Sequence, residues 1–445
     1  MPILRADHVV PVASPPINDG AVVVANDSIL AVGPFEEISE SHPSETVINH
    51  SGCAIIPGLV NCHMHLELTG FRGRMDRYDR DFGKWLIEIT RLRKDHSDSA
   101  TIKDFALLGA CEAAASGVTC VGDIGRLGFA GAEALESVGL RGIVFQETEF
   151  SPSNSTAETD FELLRSKFED LACKGSDLIR IGLSPHAPFT VSRELFERIT
   201  EYSLDNSIPL SIHAAESQAE SELMSSGKGM FAEMFMDESV GWEIPYQSTI
   251  AYFEEIGVLE AKPLLAHVIN VNDEEIGFIA KRGATVAHCP RSNSKFGHGV
   301  APLGKFVDAG ITVGVGSDSM ASNNVCDMLS EVGFAGLLAR TTSADGFLSA
   351  EELLHIATLG GAAALGLEDR IGSLEPGKQA DLAIIKTNGV GQSPVSDICS
   401  TIVFSTNASS VKEVLVAGQS VYTEAGTARV EIKAVQERVS AAFNC

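Results

Sequence analysis

At 445 residues with 44% hydrophobic side chains, the chain is long enough for one large domain plus a smaller one, and apolar enough to bury a sizeable core. A formal charge of −27 excludes nucleic acid and anionic membranes as main partners, because both demand a basic face. Nine cysteines without a CxxC pair point to reduced thiols and a cytoplasmic setting, and no run approaches the ~18 apolar residues of a membrane span.

Residues 7–56 alternate in short runs at 8–12, 20–24 and 29–32, parted by the turn residues Asn18-Asp19-Gly20, Asn26-Asp27 and Gly33-Pro34. That pattern predicts a short β-meander. From Ile55 the rhythm changes. Eight apolar runs follow, at 55–61, 119–123, 141–146, 179–184, 209–212, 263–268, 284–287 and 312–316. Amphipathic segments such as 101–116, 161–173, 193–204, 273–281 and 325–339 lie between them. Eight alternations of β and α predict an α/β fold in which a parallel sheet closes into a (β/α)8 TIM-type barrel. After Gly366 short strands are expected again at 380–385, 402–404 and 414–416. The expected organisation is a barrel over 57–368 and one small β-sandwich built from both ends, 1–56 and 369–445, the latter including a C-terminal tail.

In such a barrel the chemistry sits at the C-terminal ends of the strands. The first run ends in Asn61-Cys62-His63-Met64-His65. On an extended chain the two imidazoles of HxH fall on one side, and converging neutral imidazoles suit Zn²⁺ or Fe²⁺. A bare HxH is more often two hydrogen-bonded loop histidines. The fifth run, however, ends in His213 with Glu216 three residues on, the sixth in His267, the seventh in His288 and the eighth in Asp318. Titratable groups closing five strands at one barrel mouth are hard to explain structurally, since buried charge is costly unless paired or metal-bound. HExxH, the His-x-Glu and Pro-Cys-x-x-Cys pair, phosphate-binding loops and GxSxG are all absent.

These residues resemble the amidohydrolase superfamily, in its mononuclear metal-dependent aminohydrolase branch. The resemblance is carried by PGLVNCHMHLELTGFRG (57–73), SPHAPFTVS (184–192), SIHAAES (211–217), LLAHVINV (264–271), VAHCPRSNSKFGHGVAPL (286–303), GSDSMASNNVCDM (316–328) and IGSLEPGKQADLAII (371–385). It implies four metal ligands, His63, His65, His213 and Asp318. It further implies Glu216 as the proton-shuttling carboxylate and His267 as the residue that orients the attacking water. Where binuclear members carry a carboxylated lysine, this chain reads Ser184-Pro185-His186-Ala187-Pro188. That points to one divalent metal ion, zinc first and iron(II) second, and to His186 as a substrate contact.

The implied activity is hydrolytic deamination of an aminated heteroaromatic ring, foremost a 6-aminopurine nucleoside of the adenosine, S-adenosylhomocysteine or aminodeoxyfutalosine class. The alternatives are triazine-type hydrolysis releasing chloride or an alkylamine, guanine- or cytosine-type deamination, and a non-catalytic scaffold of the same fold. Glu67 is read as a substrate contact or as a salt-bridged loop glutamate, His288 as a substrate contact, and Arg291 as a carboxylate clamp or a surface residue. The expected partner is a small molecule, and nothing in the chain forbids a homo-oligomer such as a dimer.

Overall fold

The computed structural model describes residues 1–237, 242–342 and 347–443. It opens with β1 (Pro2–Val9), β2 (Ile17–Ala25), β3 (Ser28–Pro34) and β4 (Thr46–Pro57). The first three form the expected antiparallel meander, with Ile3 opposite Val23 and Val22 opposite Val32. The fourth departs from it and runs parallel to β1 on its other side.

Eight short parallel strands follow: β5 (Leu59–Met64), β6 (Val118–Gly125), β7 (Arg141–Glu147), β8 (Ile179–Ser184), β9 (Ser211–Ala214), β10 (Leu264–His267), β11 (Thr285–His288) and β12 (Val313–Val315). They pair in chain order as two parallel quartets. Leu183 on β8 donates its N–H to Pro209 O (3.0 Å), which joins the quartets on one side. On the other, Asp318 N donates to His63 O (2.9 Å), and the Asn61 side chain brackets Ser317 at 3.0 and 2.8 Å. Phe145 from β7 packs in one buried cluster with Leu264 from β10 and Ala287 from β11, two strands of the other quartet. Side chains therefore fill the barrel, as the fold requires.

The chain returns to the flanking sheet with β13 (Leu382–Lys386), β14 (Val411–Val416), β15 (Gln419–Thr423) and β16 (Gly426–Thr427). β13 pairs with β4, so both chain ends contribute to one eight-stranded sheet. The sheet curls until its far parts touch: Ser28 bridges to Gln379, and Ile29 N donates to Lys378 O at 2.8 Å. The curl encloses Leu4, Val24, Ile29, Ile55, Leu382 and Leu415 in one core. It is this curvature that gives the sheet its sandwich-like core.

Residues 402–404, expected as a strand, lie instead in the helix Ile398–Ser405. The three-residue apolar run carries no period of its own, and its context decides. Asp397 caps the helix by accepting from Ser400 N at 2.6 Å, and Ile398, Ile402 and Val403 bury one side of it. No helix among the described residues is long and apolar enough to cross a membrane.

A buried ion pair ties the barrel to the flanking sheet. Arg141, at the start of β7, places Nε 2.8 Å and Nη2 3.1 Å from the Asp381 carboxylate, with both side chains 1% exposed. Asp381 also accepts from Ala417 N at 2.8 Å. Removing one partner of such a pair leaves an uncompensated buried charge. We expect Asp381→Ala to lose about 3–5 kcal/mol of unfolding free energy, measured by chemical denaturation. A loss under about 1 kcal/mol would place the pair among ordinary surface contacts.

Candidate active site

The parallel strands bring their C-terminal ends to one mouth, and five of them deliver the residues singled out above. His63 is the penultimate residue of β5, and His65 follows just beyond its end. The two rings stand 5.0 Å apart and edge to face. His213 from β9 stacks on His65 at 5.3 Å and meets His63 at 4.9 Å. Asp318, just after β12, points Oδ1 at both His63 Nε2 (3.5 Å) and His65 Nε2 (3.6 Å). The aspartate is itself held from behind by Ser292 Oγ (2.6 Å) and Ser322 Oγ (2.8 Å), both donating to Oδ2.

Whether these residues fit a metal can be tested on their hydrogen bonds. His65 Nδ1–H donates to Ile124 O (3.0 Å), and His213 Nδ1–H donates to His186 O (2.8 Å). Both Nε2 atoms are then lone-pair acceptors, yet they face each other at 3.3 Å. Two lone pairs at that distance repel unless a cation lies between them. The buried His63 Nε2 also has no hydrogen-bond partner. The ligating atoms of His63, His65 and His213 all lie within 4.8 Å of one another. The residues fit a divalent cation with nitrogen-rich ligation, and the backbone carbonyls fix the tautomers as outer-shell partners do.

The electrostatics agree. Burial pushes the His63, His65 and His213 imidazoles below their ordinary range, so they are neutral and able to ligate. Burial alone would raise the Asp318 carboxyl, but the His63 imidazole 3.5 Å away and the neighbouring His267 ring hold it well below its usual range. Glu216 behaves in the opposite way. Burial, then the negative charges of Asp318 and Glu220, pushes it well above the ordinary carboxyl range. Two carboxyls with opposed environments in one cleft are the mark of divided roles: one is held ionised, and the other takes up a proton readily. Glu220 holds the Glu216 loop by accepting from Ala215 N (2.7 Å) and Glu216 N (2.9 Å).

His267 closes β10, and its Nδ1–H donates to Asn293 Oδ1 at 2.9 Å, which aims Nε2 at the Glu216 side, 3.9 Å from Oε1. Left-handed backbone is concentrated at this mouth, with φ of 51° at Ala215, 72° at His267, 47° at Val268 and 58° at Asp318. Such strain persists only where the surroundings over-determine it, and it clusters at functional sites.

The remaining candidates divide. His186 sits beside His213 with ring centroids 4.8 Å apart, and its Nδ1 bonds Thr190 Oγ1 at 2.8 Å. His288 is buried at the end of β11 with an unpartnered Nδ1, and burial lowers it to about 4. Glu67 is committed within the chain. It forms an ion pair with Arg93 and accepts from Arg126 N (3.3 Å) and Leu127 N (3.1 Å). Arg291 turns Nε to Asn323 Oδ1 (3.2 Å) and lies 3.5 Å from the buried Glu331 carboxylate.

Three residues at the mouth were not singled out from the sequence. Asn293 orients His267, and its signal was only its place in the Ser292-Asn293 pair. Glu147 closes β7, one residue past the 141–146 run, and lies 3.9 Å from His186 Nε2. The same strand-end argument that marks His267 would have marked it. His298 lies 3.8 Å from Glu216 through Nδ1.

Comparison with known proteins follows the same lines. A 5-methylthioadenosine/S-adenosylhomocysteine deaminase from Thermodesulfovibrio yellowstonii is 33% identical over 408 residues, 90% of this chain and 88% of that protein. An adenosine deaminase from Xanthomonas campestris with bound zinc superposes with a TM-score of 0.86 at 27% identity, covering 100% of this chain and 98% of the other. Atrazine chlorohydrolase from Arthrobacter aurescens, complexed with zinc, shares the fold with a TM-score of 0.83 at 24% identity, covering 99% of this chain and 100% of that one. The amidohydrolase family model matches residues 54–421, from the last flanking strand before the barrel to the third one after it. A match that continuous, through the whole barrel and into the returning sheet, means that the chain belongs to the amidohydrolase family.

Proposed function

We propose that the protein is a hydrolytic deaminase that removes the amino group of an aminated heteroaromatic ring as ammonia, with a 6-aminopurine nucleoside as the leading substrate class. One observation carries the proposal: a buried carboxyl of raised proton affinity, Glu216, stands beside the three-histidine, one-aspartate cluster and within reach of His267. A ligand set without a proton carrier would bind metal only. A carboxyl that can both take and return a proton makes the site suited to C–N hydrolysis.

His63, His65, His213 and Asp318 would hold one divalent ion, zinc in the first place and iron(II) in the second, given the imidazole-rich set. Such an ion supplies positive charge and a water of lowered pKa. The chain's own residues do the rest. Glu216 accepts a proton from the attacking water and passes it to a ring nitrogen of the substrate. The protonated ring is then electrophilic at the carbon that bears the amino group. His267, fixed by Asn293, directs the water to that carbon. Water adds, a tetrahedral carbon forms, and the amine leaves as ammonia after accepting the proton of the newly added hydroxyl, which becomes the carbonyl oxygen. His186 and His288 serve as substrate contacts. The relatives named as methylthioadenosine/S-adenosylhomocysteine and adenosine deaminases support the purine class.

The test is metal analysis of the purified protein followed by an ammonia-release screen. Adenosine, methylthioadenosine, S-adenosylhomocysteine, aminodeoxyfutalosine, guanine, cytosine and aminated triazines form the panel. Ammonia from one of the adenosine-type compounds is the expected result. Release of chloride or an alkylamine from a triazine, with no ammonia from any purine, would overturn it.

A further inference from the structure

His298 takes no part in the chemistry described so far, yet three stretches of chain meet on it. It sits between Gly297 (φ 70°) and Gly299 (φ 113°), and the second value lies in a region essentially closed to residues with a Cβ. This double turn ends the helix Pro290–Phe296 and leaves the His298 side chain only 8% exposed. The imidazole lies parallel to Phe296, with centroids 5.0 Å apart and planes at 17°. It meets Phe82, from the connection after β5, edge to face at 4.6 Å. Phe231, from the connection after β9, extends the same wall 6.1 Å from Phe82.

The polar edge of this ring is unsatisfied. His298 Nδ1 is buried without a hydrogen-bond partner, and its nearest acidic atom is Glu216 Oε1 at 3.8 Å. A buried polar atom left unpaired is destabilising, and in a native protein it calls for a partner the chain does not supply. The same Oε1 stands 3.9 Å from His267 Nε2. Neither separation is a direct hydrogen bond. Each is wide enough for a third polar atom to sit about 2.9 Å from both flanking atoms. The gap on the His267 side borders the ligand cluster, with the His267 ring 5.4 Å from His63 and 5.6 Å from His213. It suits the attacking water. The gap on the His298 side is walled by aromatic rings, and it suits a flat heterocycle.

We propose that His298 is a substrate-binding residue, whose Nδ1 hydrogen-bonds a polar atom on the ring edge that Glu216 protonates, while Phe82 and Phe296, themselves in contact at 5.2 Å, form an apolar wall beside it. The inference rests on the deaminase function proposed above and deepens it. It defines the substrate class as a planar heterocycle with a hydrogen-bonding atom beside the nitrogen that takes the proton. His298 donates or accepts one hydrogen bond and forms no covalent bond.

His298→Phe tests it, because phenylalanine keeps the aromatic wall and removes only the ring nitrogens. With the best substrate from the ammonia screen, kcat/KM should fall about tenfold or more, as expected for one lost hydrogen bond in a buried site. The fall should appear largely in KM. Affinity for a coformycin-type tetrahedral analogue, measured by calorimetry, should weaken in parallel, while metal content stays at the wild-type level. His298→Asn places an amide near the Nδ1 position, and it should recover part of the loss. Should the Phe variant fail to fold, His298→Asn against His298→Ala gives the same comparison, with Asn expected to be the better enzyme. A Phe variant within twofold of wild type in kcat/KM overturns the proposal. So does a loss confined to kcat with unchanged analogue affinity, which would make His298 a positioning residue for Glu216. Wild-type protein that releases ammonia from no ring overturns the deaminase function itself, and this inference with it.

Discussion

Replacing His213 by alanine is expected to remove metal and activity together. His213 is the point where two arms of the site meet. Its Nε2 faces His65 Nε2 at 3.3 Å, and its Nδ1 is pinned to His186 O at 2.8 Å. With the imidazole gone, His63, His65 and Asp318 remain, and the proposed set drops from four ligands to three. Nitrogen-rich sites owe their affinity to ligand number and geometry, so retention should collapse. Metal analysis of wild type should give about one equivalent per chain, the outcome expected of one closed ligand set. The variant, purified under the same conditions, should hold a small fraction of that, and ammonia release should fall in the same proportion. Added zinc should restore little, because a water at the vacant position is a weaker ligand than the buried imidazole it replaces. Full metal content in His213→Ala would remove His213 from the ligand set. Two equivalents in the wild type would argue instead for a second ion, which the nearby Glu147, His186 and His213 grouping would have to hold.

The barrel and its mouth were legible in the sequence because period and position carry information there. Seven of the eight apolar runs overlap their strands, and the eighth, 55–61, runs from the end of β4 into β5. The strand-end rule then selected His63, His213, His267, His288 and Asp318 without reference to contacts. The rule has limits that particular residues show. Glu67 is two positions beyond His65, so its spacing suggests the same mouth. Its partner Arg93 lies 26 residues away on the next helix, and only the fold brings the two together. The run 402–404 looked like a strand because three β-branched and aromatic residues carry no period, and the Asp397 cap that makes them helical lies outside the run.

Long-range partners account for what could not be read. Asn293 and His267 are joined by a hydrogen bond across 26 positions, and His298 meets Phe82 across more than half the barrel's circuit of strands. A histidine between two glycines in the Phe296-Gly297-His298-Gly299 stretch reads as a loop residue. Only its buried, unpartnered nitrogen beside Glu216 gives it a chemical meaning. The curl of the flanking sheet is equally hidden. Alternation assigns inward and outward positions along each strand, but not the contact of Ser28 with Gln379.

Glu216→Gln separates proton transfer from metal binding, and it should lower turnover by about a hundredfold or more while leaving metal content and fold intact. Glutamine keeps the size of the side chain and a carbonyl oxygen that can face His267 and His298. What it loses is the ability to accept a proton and return it. Glu216 lies three residues past His213, and its nearest partners are nitrogens at 3.8 and 3.9 Å, outside the ligand cluster. Substitution should therefore leave the metal in place. The environment makes the effect one of chemistry and not of stability. Burial and the charges of Asp318 and Glu220 raise its proton affinity, so ionised Glu216 is an unfavourable buried group that the neutral amide relieves. Glu220, which fixes the loop through Ala215 N and Glu216 N, is untouched. The variant should melt no lower than wild type, and if anything slightly higher. The alternative is an ordinary carboxyl placed near a helix start, favoured there by about 0.3–1 kcal/mol from the helix dipole. On that alternative the amide would lose a little stability and leave the rate nearly unchanged. Steady-state ammonia release, metal analysis and thermal melting on one preparation distinguish the two. Full metal content with near-normal turnover would take the proton shuttle out of this mechanism.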